Sequence, residues 1–171
     1  KNHSGYLQLC DLLSRAWLEN ASRGHAEVRR EWFRELVQDA TDGCGLIVLS
    51  GAQRGDEGVA LAAGQLQTAE ALARQWQTVL PGAYYLEVQR TGAPDVEAHV
   101  RAAAHLAQRL TLPLVATHPV QFIAATDFRA HEARVCIAEG EILGNPRRVR
   151  RFSESQYFLT QAEMAERFAD L

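Results

Sequence analysis

Three short apolar runs, separated by longer helical patterns, constrain the fold of this chain most strongly. They are residues 45–50 (GLIVLS), 84–89 (YYLEVQ) and 112–117 (LPLVAT). The first run is apolar at successive positions, which is typical of a strand buried on both faces of a parallel sheet. Helical patterns alternate with these strands along the chain, and that order indicates βαβ units and an α/β fold.

The segments around these runs carry apolar residues at spacings of three and four, which is the period of one helix face. This pattern predicts helices over residues 6–17, 26–38, 94–110 and 127–139, a helix or helical pair between residues 58 and 81, and a last helix from about residue 160. In the first helix, the predicted inward face consists of Tyr6, Leu9, Cys10, Leu13, Ala16 and Trp17. Thr160 and Glu163 have the spacing of a capping box, and Pro94 suits a first helical turn.

Size and composition exclude several classes of protein. A chain of 171 residues has the length of one domain, and a net charge of −3 argues against nucleic-acid binding by the whole surface. No apolar run reaches the ~20 residues of a membrane span. The odd number of widely spaced cysteines, Cys10, Cys44 and Cys136, argues against a disulfide framework. It fits the reducing cytosol, so we expect a cytoplasmic protein.

The start of the chain and its few strands suggest a piece of a longer protein. The sequence begins Lys1-Asn2-His3, without a methionine, and an amphipathic helix follows at once. Three strands are also few for a stable parallel sheet. We therefore expect further strands outside this chain.

Residues 112–140 are the stretch where chemistry is expected. The third strand is followed by a short loop with His118 and then by a helix that carries His131 and Glu132. An α/β protein places its functional side chains at the carboxyl ends of its strands. These three residues and Glu87 are therefore the candidates for a residual site. Glu87 lies in a buried strand and needs a hydrogen-bond partner, for which Arg90 is one candidate.

A basic run follows that helix. Its four arginines, the densest positive cluster in the sequence, are Arg147, Arg148, Arg150 and Arg151. Two interpretations remain open. The run is either a solvated segment with ordinary ion pairs, or a patch that contacts DNA phosphates or an acidic partner surface.

Several motifs in co-linear order carry a family resemblance: GLIVLSG, YYLEVQRTGAPD, LPLVATHPVQFI, DFRAHEARVCIAEG and PRRVRRFSESQYFLTQAEMAERFADL. With them the chain resembles, from about residue 3 to 171, the PHP (polymerase and histidinol phosphatase) domain of the alpha subunit of bacterial DNA polymerase III. The resemblance implies an α/β fold that is part of a distorted (β/α)7 barrel with parallel strands and flanking helices. It implies that residues 1–171 are a single partial PHP domain, without the N-terminal βα units and the polymerase domains.

The resemblance also locates four metal-ligand positions, all in loops after strands. Where metal-binding members have a cysteine, a histidine, an aspartate and a second histidine, this chain has Ala52, Thr91, Pro119 and Gln121. Alanine and proline have no side-chain donor, and the neutral oxygens of threonine and glutamine are weak zinc ligands. Metal-assisted hydrolysis needs residues that hold the ion that activates water. We therefore expect a degenerate site, with no metal ion or other cofactor in this chain.

The function implied by the resemblance is that of a scaffold. The parent protein would be a DNA-directed DNA polymerase, a nucleotidyltransferase of DNA replication that uses Mg²⁺, and its catalytic carboxylates would lie outside this chain. The chain alone would be inactive and would have no catalytic residue. It would brace the polymerase and dock the proofreading exonuclease subunit, with the other polymerase III subunits and primed DNA as further partners and no membrane. The alternative is an active metal-dependent phosphoesterase, pyrophosphatase or nuclease.

Overall fold

The computed structural model describes residues 1–39, 45–93 and 95–171. Within them, the strands are β1 (Ala21–Ser22), β2 (His25–Ala26), β3 (Val48–Leu49), β4 (Tyr84–Gln89) and β5 (Leu114–Thr117). The helices are α1 (His3–Glu19), α2 (Arg30–Asp39), α3 (Asp56–Ala62), α4 (Leu66–Val79), α5 (Val96–Leu110), α6 (Phe128–Glu139) and α7 (Gln161–Arg167). Short 3-10 turns cover Ala52–Arg54 and Ala125–Asp127.

The central sheet contains three parallel strands in the order β3-β4-β5. Since each pair is parallel, the chain must cross over between them, and it does so through α3 and α4 first and through α5 next. The carboxyl ends of all three strands therefore lie at one edge of the sheet. This confirms the predicted α/β fold with a parallel sheet and flanking helices.

One face of the sheet packs against the helix layer. The β4 residues on this face are at most 2% exposed: Tyr84, Leu86 and Val88. They pack with residues of α3, α4 and α5. Because successive side chains of a strand point to opposite faces, Glu87 and Gln89 lie on the other face. The register places Thr117 of β5 beside Gln89 on that same face.

Of the residues predicted to face inward in helix α1, Ala16 is buried, but the helix packs mainly through another face. Its buried residues are Gly5, Gln8, Leu12 and Ala16, whereas Tyr6 is 62% and Trp17 59% exposed. Leu12 and Ala16 meet Trp32 of α2. Gly5 lies against Gly45 so closely that a Cβ on Gly5 would be 2.2 Å from the Gly45 carbonyl oxygen. Apolar residues occur on two faces of α1. The buried face is the one on which Gly5 allows close contact with the Gly45 backbone.

The other helix predictions differ mainly at their ends. The structure resolves the helical pair as α3 and α4, starts α2 at Arg30, and adds the β1–β2 hairpin, which the sequence did not predict. The Thr160–Glu163 capping box at α7 is confirmed. The predictions for Cys44 and Pro94 fall outside the described residues. No helix in the described ranges is long and apolar enough to cross a membrane.

Candidate functional site

The site lies at the carboxyl ends of β3, β4 and β5, an area that we call the mouth. Its centre is the side chain of Glu87, which is 8% exposed. One carboxylate oxygen accepts a hydrogen bond from the Gly51 backbone N–H at 3.1 Å. The other accepts one from the Gln89 amide at 3.1 Å and a short one from the Thr117 hydroxyl. Glu87 thus joins the ends of all three strands.

Two further hydrogen bonds complete this network. The Ser50 hydroxyl accepts from the Glu87 backbone N–H at 2.9 Å, and the Gln89 amide also donates to the Thr117 hydroxyl at 3.0 Å. Both oxygens of the Glu87 carboxylate therefore have protein donors, as a buried carboxylate requires. Arg90, the partner candidate named from the sequence, binds elsewhere. Glu87 is used to connect the strands.

The glycines of the loop after β3 allow a close approach of backbone. A Cβ on Gly55 would lie 1.6 Å from the Ser50 carbonyl oxygen, and one on Gly58 would lie 2.0 Å from the Ala52 carbonyl oxygen. Ala52 itself is buried and has a left-handed backbone with φ of 49°. Close packing around the 3-10 turn thus explains why glycines occupy positions 55 and 58.

The three other degenerate ligand positions contact the C-terminal segment through their backbone. We call residues 153–171 the strap. The Thr91 carbonyl accepts hydrogen bonds from the hydroxyls of Ser153 at 2.6 Å and Ser155 at 2.9 Å. The Pro119 carbonyl accepts from the Gln156 amide at 3.1 Å, and the Gln121 backbone N–H donates to the Gln156 carbonyl at 2.8 Å. The strap therefore lies against the mouth.

The donor set of the mouth does not fit a metal ion. In the described part of the chain, no group of three or more His, Cys, Asp or Glu side chains could hold one. The single carboxylate of the mouth, Glu87, already accepts from three protein donors. A metal centre at this place would need ligands that Ala52, Thr91, Pro119 and Gln121 do not supply.

His118 lies beneath the strap. Both of its ring nitrogens are shielded from solvent and form no hydrogen bond of normal geometry. The ring lies beside the backbone of Ser155 and Tyr157. Burial, with a smaller effect of the Arg167 charge, lowers the pKa of His118. The lowered pKa favours the neutral imidazole, and no carboxylate among the described residues is hydrogen-bonded to it.

His131 and Glu132 are neighbours in α6 but belong to different clusters. His131 is 6% exposed, packs against Phe122 and stands edge-on to Phe152. Burial lowers its pKa, and the Arg134 charge adds to this effect. Glu132 faces the basic run instead. The structure does not bring these two side chains together with His118 into one site.

The basic run lies along the acidic face of α6. The Arg148 side chain is 5% exposed and forms a short ion pair with Glu132, and Arg150 approaches the same carboxylate at 3.7 Å. Arg151 pairs with Glu139 at 3.3 Å. Within the described residues this run thus forms ion pairs with α6, while Arg147 and large parts of Arg150 and Arg151 remain exposed.

Sequence reasoning missed a second buried polar cluster, behind β3. Glu57 of α3 is 2% exposed and accepts a hydrogen bond from the Tyr84 hydroxyl at 2.7 Å. Tyr84 stacks on Trp76, and the Arg30 guanidinium lies 4.9 Å from the Trp76 ring centroid. Burial raises the pKa of both Glu57 and Tyr84. Glu57 follows Asp56 and precedes Gly58 in a polar, glycine-rich stretch, so no local sequence signal marked it as buried.

The fold defines a class: a parallel α/β domain with a polar mouth at the carboxyl ends of its strands. The PHP domain family model matches residues 1–91, more than half of the chain, and the chain belongs to this family. That result confirms the resemblance drawn from the sequence motifs.

The relatives are more specific. The chain is 47% identical over 99% of its length to the DNA polymerase III subunit alpha of Pseudomonas aeruginosa. It is 45% identical over its full length to the same subunit of Neisseria meningitidis serogroup A, and 39% identical over 99% to that of Escherichia coli K12. The chain spans only 14–15% of the length of these relatives.

Proposed function

We propose that this chain is the degenerate PHP part of a DNA polymerase III alpha subunit and acts there as a non-catalytic scaffold. The observation that carries the proposal is the state of the mouth. Four loop positions lack metal-binding side chains, and the carboxylate that is buried at the mouth, Glu87, accepts from Gly51, Gln89 and Thr117. An arrangement of this kind holds strands together and leaves no group to activate water.

The same proposal includes the larger fold. Within the described residues, β3 pairs only with β4, so its other edge carries no strand. Ile47 and Leu49, at this edge, are 52% and 40% exposed, and the face of α1 with Tyr6 and Trp17 is exposed too. Apolar faces and open strand edges of this kind need a cover. We infer that residues 1–171 are a partial PHP domain and that further βα units complete a (β/α)7 barrel.

The proposed partners follow from the relatives' name, DNA polymerase III subunit alpha. The parent protein would synthesise DNA on a primed template with Mg²⁺, through carboxylates outside this chain, in the cytoplasm. This domain would brace the polymerase and dock the proofreading exonuclease subunit and other subunits of the complex. Contact of the basic run with DNA or an acidic partner surface remains a prediction, now restricted to the exposed Arg147, Arg150 and Arg151.

Metal content and hydrolysis test the scaffold proposal. We expect the purified chain, incubated with Zn²⁺ or Mn²⁺ and then desalted, to retain far less than one ion per chain. It should not hydrolyse bis(p-nitrophenyl) phosphate, and primer extension by the chain alone should be absent. Stoichiometric metal with ester hydrolysis that His118→Ala or Glu87→Gln abolishes would show an active phosphoesterase instead. Arg109→Ala, a surface change far from the mouth, is the control variant.

The scaffold role itself is tested in the complete alpha subunit. We expect Glu87→Ala in that protein to weaken binding of the proofreading exonuclease subunit while primer extension by the isolated alpha subunit is largely retained. Size-exclusion chromatography of the two subunits measures the first effect. Unchanged binding would contradict the docking role.

A further inference from the structure

The strap lies against the mouth at the degenerate ligand positions, and polar contacts hold it there. Thr91, Pro119 and Gln121 each offer a backbone group to it, and Phe158 of the strap donates from its N–H to the Phe122 carbonyl at 3.0 Å. These contacts use backbone atoms, so they do not depend on which side chains occupy the ligand positions.

Gln156 is the innermost strap residue, at 6% exposed. Its side-chain amide donates to the Pro119 carbonyl and accepts from the Ser153 N–H at 2.8 Å. Its backbone carbonyl accepts from the Gln121 N–H. The residue is thus hydrogen-bonded to both positions that follow β5, with its side-chain donor and acceptor both used.

A second attachment holds the far end of the strap. The Arg90 guanidinium, at the end of β4, pairs with Asp170 at 2.7 Å and with Glu97 at 3.0 Å and also donates to the Arg167 carbonyl. Arg167 in turn donates to the Arg90 carbonyl at 3.2 Å, and Phe168 lies under the guanidinium. Charge-assisted hydrogen bonds of this geometry are among the stronger ones in proteins.

The strap contributes one buried apolar side chain to the core, that of Leu159, which is 8% exposed. No residue of α7 is fully buried, and Phe168 is only partly buried where it meets the cluster around Val88. Segments with few buried apolar contacts open at lower free energy than the strands they cover. The sheet, by contrast, is anchored by residues that are almost completely buried.

We propose that the strap is a lid on the mouth, plugged by Gln156 and latched by Arg90, which opens as a unit without unfolding of the sheet. This inference rests on the proposed function, since a mouth that binds no substrate can be closed by the chain's own segment. Opening uncovers His118 and the polar ends of the strands. The lid thus decides whether solvent or any other molecule reaches the mouth.

Amide exchange and chemical modification of the purified chain test the lid. In Arg90→Ala we expect the Gln121 and Phe158 amides to exchange at least about tenfold faster, because charged hydrogen bonds are lost. The Leu86 amide of β4 should exchange at an unchanged rate. Diethyl pyrocarbonate should modify His118 faster as well, with exposed His25 as the internal reference.

Two further variants keep the test decisive. Asp170→Asn changes a side chain that is 63% exposed and leaves the apolar core untouched, and it should give a smaller effect of the same kind. Arg109→Ala, which breaks a surface ion pair with Glu70, should leave all these rates unchanged.

The outcomes separate the lid from the scaffold proposal. Equal acceleration at Leu86 and Gln121 would show that the strap unfolds only with the sheet, and unchanged rates in both Arg90 and Asp170 variants would show that there is no latch. Either result overturns the lid. Metal binding and phosphate-ester hydrolysis by the unmodified chain would instead overturn the scaffold proposal, whatever the exchange rates.

Discussion

Two buried glutamates, Glu87 at the mouth and Glu57 behind β3, have very different surroundings. Glu87 accepts hydrogen bonds from the Gly51 N–H, the Gln89 amide and the Thr117 hydroxyl. Glu57 is the more deeply buried, at 2% against 8% exposed, and has one side-chain donor, the Tyr84 hydroxyl. Its pKa is raised because burial disfavours its charged form.

The difference shows that the role of a buried carboxylate depends on its number of hydrogen-bond donors as well as on its burial. At Glu87, three donors from three strand ends replace lost hydration, so the carboxylate becomes a cross-link between strands. At Glu57, the Tyr84 hydroxyl and the residue's own backbone N–H replace it only in part, so burial raises the pKa of this carboxyl. The first site connects the strands, whereas the raised pKa of Glu57 couples stability to pH at the second.

The largest effect is expected for Glu87→Ala. The change leaves the Gly51 N–H and the Thr117 and Gln89 donors without their acceptor, at a cost of about 3 kcal/mol in the free energy of unfolding. Urea denaturation measures it. Glu27→Ala, at an exposed glutamate before α2, is the control and should change stability by less than about 0.5 kcal/mol. Equal free energies of unfolding for the two variants would show that Glu87 does not cross-link the strands.

Tyr84→Phe should have the next largest effect. It keeps the stacking on Trp76 but removes the only side-chain donor of Glu57, and we expect a loss of about 2 kcal/mol at neutral pH. The pKa of Glu57 should rise further, so the loss should shrink in acid, where the carboxyl is protonated. Urea denaturation at pH 7 and pH 5 tests this, and an identical loss at both would contradict the coupling.

Thr117→Val should cost less, about 1 kcal/mol, because Glu87 keeps two of its three donors. The measurement is again urea denaturation, with Thr126→Val, an exposed threonine in the turn before α6, as the matched control. A cost as large as that of Glu87→Ala would mean that the network fails as a whole when one donor is lost.

Glu57→Gln should have the smallest effect of these variants. In acid it should change the free energy of unfolding by no more than about 1 kcal/mol, since glutamine can still accept from the Tyr84 hydroxyl. Folding raises the pKa of Glu57 above its ordinary value of 4.5. Its proton-linked stabilisation is therefore fully present below about pH 4.5 and is lost as pH rises through the folded-state pKa. The variant has no such loss, so it should gain stability relative to the unmodified chain as pH rises. Parallel stability profiles from pH 4 to 8 would refute this.

The alternation of strands and helices was readable from the sequence because it depends on local patterns. Short apolar runs predicted β3, β4 and β5, and the spacing of the capping residues predicted α7 at Thr160. The β1–β2 hairpin carries no such run, being two residues on each side. Its strands are defined by a turn at Gly24, which has a positive φ of 81°.

The candidate site was predicted only in part, because local patterns reveal a buried charge but not its partners. A charged residue inside an apolar strand must have a partner, so Glu87 could be identified, but its partners lie on other strands and in a loop. Arg90 was close in sequence and proved to bind Glu97 and Asp170. Glu57 was missed because a glutamate in a glycine-rich loop is ordinarily exposed.

The sequence by itself determined the order of β3, β4 and β5 with the helices between them, and the motifs that carry the family resemblance, since these are properties of residue type and spacing. Tertiary structure alone decided which face of α1 is buried, which donors reach Glu87 and Glu57, and that residues 153–171 lie across the mouth. These outcomes depend on contacts between residues that are 27 to 80 positions apart along the chain. No local pattern encodes such contacts, because packing selects them from many chemically similar alternatives.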